Sequence, residues 1–179
     1  MKVRNLIYLA AVALIPAFGH ADTFYYSGTG PNSNVHAVIT ATPTGSPNQF
    51  DITAISGYVT MNGVQSTISG LVPNATFTPQ TSPSGAFIFD NILFTSGPPF
   101  FDTNGIDFYL ASGGEVNFFP NTAGVGFDQF YFGLSAGNYP FTDTFTAEQL
   151  STVPEPGSLV LVATGMWGSI SLLRRRRAL

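Results

Sequence analysis

An all-β fold, arranged as a single β-sandwich or jelly-roll-like domain over residues 22–152, is what the sequence predicts. Three observations carry that expectation. From Asp22 to Val153 the chain has 132 residues, of which 15 are Gly and 10 are Pro. Turn formers at that density keep any regular element short. The same stretch holds 22 Phe and Tyr residues, which suit a pleated, half-buried surface. No window of ten or more places apolar residues at helical spacing, whereas several short runs alternate with period two.

Phe24–Tyr26, Val35–Ala41 and Phe50–Thr60 are the first three predicted strands. Asn62-Gly63 follows as a two-residue hairpin turn, because both residues accept positive φ. It returns the chain into Val64–Leu71. Later strands are predicted at Ala86–Phe89, Ile106–Ala111, Glu115–Phe119, Phe127–Gly133 and Phe141–Ala147. In the last of these, Phe141, Asp143 and Phe145 share one face and Thr142, Thr144 and Thr146 the other. Prolines 31, 43, 47, 73, 79, 83, 98 and 99 fall between strands, where a missing N–H does no harm. The segment Thr42–Asn48 reads as a loop. A body of this length can bury one core, and with no cysteine it must hold together by burial and strand pairing.

Charge sorts the chain sharply. The formal net charge is −4, yet all six bases, Lys2, Arg4 and Arg174 to Arg177, sit near a terminus. Between Asp22 and Val153 there are nine carboxylates and no Lys or Arg. Such a body lacks the cationic footprint that nucleic acid requires. It also lacks a Schiff-base lysine, an arginine clamp for phosphoryl groups and a cysteine nucleophile.

Residues 1–21 have the zones of a signal peptide. Lys2 and Arg4 precede the apolar run Leu6–Phe18, and Gly19-His20-Ala21 sets small residues at the −3 and −1 positions before Asp22. The run is too short to span a bilayer comfortably, so removal by signal peptidase is expected. At the other end, residues 153–179 begin with Val153-Pro154-Glu155-Pro156. A predicted transmembrane helix, Leu159–Leu173, follows, and then Arg174, Arg175, Arg176 and Arg177. Fifteen helical residues rise about 22 Å against a hydrocarbon core of about 30 Å. Arginines reaching to the interface make up part of the difference and act as a cytoplasmic stop.

The order turn, short apolar helix, arginine cluster, here VPEPGSLVLVATGMWGSISLLRRRR, resembles the PEP-CTERM sorting signal of Gram-negative bacteria. The same motif is also catalogued as an ice-binding-protein C-terminal domain. The resemblance implies transient anchoring in the inner membrane and recognition by an exosortase. The tail is then removed and the body transferred to the envelope, outer surface or extracellular matrix. In the body, Asp90-Asn91-Ile92-Leu93-Phe94, Pro98-Pro99-Phe100-Phe101-Asp102, Gly105-Ile106-Asp107-Phe108, Gly114-Glu115-Val116-Asn117 and Ile52–Gly57 are similar to a pattern common in PEP-CTERM proteins. That pattern brings no reaction with it.

Candidates for chemistry are few. His36 is the one histidine left after signal removal, and no nucleophile-elbow pattern accompanies it. One His without Cys makes a poor zinc site. Glu115 and Glu148 are the acids a glycosidase would use. Asp102, Asn104 and Asp107 place oxygen ligands around Gly105 as a small calcium loop does, although Gly113 stands where an EF-hand needs its last acid. Calcium is therefore the one candidate cofactor. Adjacent aromatics, Tyr25-Tyr26, Phe100-Phe101, Phe118-Phe119 and Phe130-Tyr131-Phe132, cannot all point inward from a one-faced strand. Some must meet sugars or be covered by loops. The threonine row 142, 144 and 146 is too short for ice recognition. The resulting expectation is an exported, non-enzymatic surface or matrix protein with exopolysaccharide as its candidate ligand. The alternatives are a secreted carboxylate-dependent glycoside hydrolase and a plain membrane-anchored structural protein.

Overall fold

A computed structural model describes residues 21–121 and 126–153. The predicted signal peptide (apart from Ala21), residues 154–156 of the sorting motif, the predicted helix at 159–173 and the arginines at 174–177 lie outside the described residues. Among the described residues the chain is all strand, turn and loop. The strands are β1 (Asp22–Thr29), β2 (Ser33–Pro43), β3 (Gln49–Met61), β4 (Val64–Leu71), β5 (Gln80–Thr81), β6 (Ile88–Phe89), β7 (Ile92–Phe94), β8 (Ile106–Leu110), β9 (Glu115–Pro120), β10 (Asp128–Gly133), β11 (Phe141–Thr144) and β12 (Ala147–Thr152).

Ten of them form one antiparallel sheet. Its order is β11-β10-β9-β8-β4-β3-β2-β1-β12, with β7 paired to β3, while β5 and β6 pair separately. The all-β expectation holds, and the domain expected as a β-sandwich or jelly roll is built from one curled antiparallel sheet. The reason lies in β4, which pairs with β3 along one edge and with β8 along the other. A register shift between Ile68 and Gly70 interrupts the second ladder, and Gly70 takes φ +154° there. Such an irregularity bends a strand without ending its pairing. The two halves then face each other while staying hydrogen-bonded.

Alternation along the strands puts one face inside. In β2, Val35, Ala37, Ile39 and Ala41 are buried, and in β1 Phe24 and Tyr26. Phe118 on β9 sits at the centre. Its ring lies 5.1 Å from Phe108, 5.3 Å from Phe130, 5.4 Å from Phe145 and 5.9 Å from Tyr26. These contacts join both halves of the curled sheet, and edge-to-face pairs contribute beyond their buried area.

The two ends of the sheet meet. After β11 the chain crosses from one edge to the other in two residues, with Phe145 N–H on Asp128 C=O at 3.1 Å and Thr146 N–H on Thr29 C=O at 2.7 Å. β12 then runs antiparallel to β1, from Thr29↔Ala147 to Phe24↔Thr152. Val153 N–H closes the last pair on Thr23 C=O at 2.8 Å. Asp143 on β11 also accepts from Asn32 N–H and the Ser33 hydroxyl, both at 2.8 Å.

The segment 72–91 lies over the outer face of the β8–β10 half. Ser84 donates to Glu115, Tyr139 Oη–H donates to Ala86 C=O at 2.6 Å, and Phe87 covers Gly133. This cover explains why Ile106, Asp107 and Phe108 are all buried in succession. Of the adjacent aromatic pairs, Phe100-Phe101 is buried entirely, whereas Tyr26 points in and Tyr25 out.

Candidate functional site

The other half of the sheet, β12-β1-β2-β3, has an uncovered outer face. Strand register alone assembles its surface. Ser151, Tyr25 and Val38 form one cross-strand row, and Gln149, Ser27, His36 and Tyr58 form the next. Tyr25 is 56% exposed and Tyr58 37%. The His36 and Tyr58 rings sit 5.2 Å apart at 40°. Gly57 keeps the floor open: it adopts φ +131°, and a Cβ there would lie 2.1 Å from His36 C=O. Together these residues line an open groove of about 440 Å³. Flat rings with polar tips, flanked by hydroxyl and amide groups and no Lys or Arg, can hold an uncharged polyhydroxylated ligand.

A smaller cleft of about 300 Å³ lies on the covered half, between Phe87, Phe119, Tyr131 and Tyr139, with Asn104 and Asn117 at its polar end. It borders the main electrostatic feature of the molecule. Six of the nine body carboxyls stand in three pairs.

At the closure of the sheet, Glu148 on β12 accepts from Tyr26 Oη–H and, at 2.8 Å, from Asp128 N–H. Asp128 accepts Phe100 N–H at 2.9 Å, and its Oδ1 is buried without a donor. Burial, then the Glu148 charge, pushes the Asp128 carboxyl far above the carboxylate range. A proton kept on Asp128 removes the charge from its orphan oxygen. Burial, with Glu148 and Asp128 beside it, likewise raises the Tyr26 phenol.

Beneath the 72–91 cover, Asp107 on β8 is completely buried and neither of its oxygens has a donor. Burial, then the Glu115 charge, pushes it up to about 9. The third pair is Asp90 with Asp102. Asp90 Oδ2 accepts Asn104 Nδ2–H at 2.8 Å, and its Oδ1 is buried without a partner. Burial raises Asp90, and Asp102 raises it further.

The structure places the sequence-predicted residues as follows. Asp102 Oδ1 accepts from Asn104 N–H and Gly105 N–H, both at 3.0 Å. Asn104 leans to Asp90, and Asp107 lies on β8 diagonal to Glu115 on β9, whose charge acts on it. Among the described residues, no three His, Cys, Asp or Glu side chains converge as a metal-binding group. Glu115 and Glu148 have disjoint partners, Ser84 and Asp107 for one, Tyr26 and Asp128 for the other. His36 stands exposed in the groove. Val153 ends the sheet. Sequence reasoning missed Asp90 and Asp128. Both are separated by a dozen or more residues from the carboxyls they meet, so no local spacing signals the pairs.

No curated protein and no solved structure matches the chain. One family model does match, over residues 152–177, and its description is PEP-CTERM protein-sorting motif. Residues 152–177 of this chain are thus a PEP-CTERM protein-sorting motif, the mark of an exported, exosortase-processed, surface-sorted protein.

Proposed function

We propose that the chain is a non-enzymatic surface or matrix protein whose β domain binds a neutral extracellular polysaccharide in the Tyr25–His36–Tyr58 groove. Signal peptidase removes residues 1–21 and exosortase the tail, so every Lys and Arg leaves with the two ends. What remains carries nine carboxylates and no Lys or Arg, a composition that repels polyanions and leaves uncharged polymers as partners. The single observation that carries the reading is the exposed pair Tyr25 and Tyr58, held out of the core on neighbouring rows with Ser27, Gln149 and Ser151 between and beside them. Exposed aromatic area of this kind is unfavourable in water unless a partner covers it.

Affinity electrophoresis through gels containing the producer's extracted neutral polysaccharide tests the reading. The exported protein should be retarded in a saturable way. A Tyr25→Ala, Tyr58→Ala double variant should lose at least tenfold in affinity while melting within a few degrees of the wild type, since both side chains lie outside the core. Equal retardation of the double variant, or none of the wild type on any neutral fraction, rejects the groove as the binding face.

A further inference from the structure

We propose that Asp90 and Asp102 hold a calcium-class divalent cation at the mouth of the loop between β7 and β8. Two carboxyls meet there, and no Lys or Arg occurs anywhere in the body to separate their charges. Asp90 is only 2% exposed, one oxygen accepts Asn104 Nδ2–H, and the other is buried with no hydrogen-bond partner in range. A buried oxygen in that state is satisfied by a donor, a retained proton or a cation, and a part-exposed second carboxyl beside it favours the cation. Asp102 has one oxygen engaged by two backbone N–H groups, which fixes the carboxyl and leaves its second oxygen for a ligand. Asn104 acts as a positioning residue: its side-chain N–H aims Asp90, while its backbone C=O is held at 3.1 Å by Asn117 Nδ2–H.

The Asp128–Glu148 pair shows by contrast why this pair suits a cation. There both Glu148 oxygens already have donors, which leaves neither of them open to a cation. Asp102 is part-exposed and its neighbour Thr103 exposed, so water can complete a coordination sphere. Calcium takes six to eight oxygens in flexible geometry and accepts waters among them, whereas magnesium demands a near-ideal octahedron. Two carboxylates with waters give the weak affinity of extracellular modules, about 0.1–1 mM. The ligand set differs from the sequence expectation: Asp90 replaces Asp107.

Isothermal titration and thermal melting of the exported protein with calcium chloride test the site, with sodium chloride at matched ionic strength as reference. A single-site heat and a saturating rise in melting temperature are expected, both reversed by EDTA. Asp90→Asn and Asp102→Asn should each weaken binding at least tenfold, and Asp143→Asn, three strands away on β11, should not. If Asp90→Asn does not fold, Asp102→Asn and the wild-type titration still decide. No heat, a melting shift reproduced by sodium chloride, or an unchanged shift in Asp102→Asn overturns the proposal. The last two outcomes mean diffuse screening of an acidic domain, and the first means that a shared proton satisfies Asp90.

Discussion

Replacing Asp107 by Asn should stabilise the protein, and by an amount that depends on pH. Asp107 lies wholly buried on β8, with both oxygens unpartnered and Glu115 as its nearest charge. Tyr109, whose phenol burial, then Glu115 and Asp107, pushes up, and the neutral Asn91 complete its polar surroundings. The folded carboxyl therefore keeps its proton up to about 9, from an ordinary value of 3.8. The unfolded chain gives up that proton above about pH 4. Between pH 4 and 9 the folded state binds more protons than the unfolded one, so stability falls as pH rises through that window. Below pH 4 both states carry the proton and nothing is lost. At pH 7 roughly three units have been crossed, worth about 4 kcal/mol at about 1.4 kcal/mol each. Asparagine has nearly the same shape and, like the protonated acid, no charge, so it escapes this loss. For a domain of this size 4 kcal/mol corresponds to a rise in melting temperature on the order of 10 °C. Melting curves of both proteins at pH 4, 7 and 8.5 check this. The gain should be near zero at pH 4, about 4 kcal/mol at pH 7, and still growing at pH 8.5. A difference that is the same at every pH, or a destabilised variant at pH 8.5, would refute the reasoning.

Two further expectations can be checked directly. Phe118→Ala removes the ring touched by Tyr26, Phe101, Phe108, Phe130 and Phe145. It should cost about 3–5 kcal/mol in urea unfolding, and a loss under 1 kcal/mol would mean that the two halves do not share this core. Intact-mass analysis of the protein recovered from envelope and medium should show a chain ending before Arg174, and a species retaining Arg177 would contradict exosortase processing.

What could be read from the sequence was whatever local chemistry decides. Asn62-Gly63 makes its hairpin with φ of 50° and 80°, because two adjacent residues contain the whole cause. The run from Phe141 alternates as expected, with Phe141 and Phe145 buried. Yet it breaks after Thr144, since Phe145 must enter the core while the chain crosses to the opposite edge. β12, Ala147–Thr152, has few strand-forming residues and exists because β1 needs a partner where the sheet closes. The groove shows the same limit. Tyr25, His36 and Tyr58 are spaced 11 and 22 residues apart, and only the β1–β2–β3 register sets them side by side. Choosing one curled sheet over two facing ones depended on a shift at Ile68–Gly70 that carries no signal beyond a glycine.

The hydrogen bond from Val153 to Thr23 has a consequence for cutting. The folded body extends right up to the residue that opens the sorting motif, so residues 154–158 alone separate it from the apolar run that begins at Leu159. Fully extended, five residues reach at most about 17 Å. If β12 were undocked from β1, its six residues would add about 20 Å more. The last strand thus works as a ruler: while it is docked, the reach between the folded body and the apolar run is about half of what an open seam would allow.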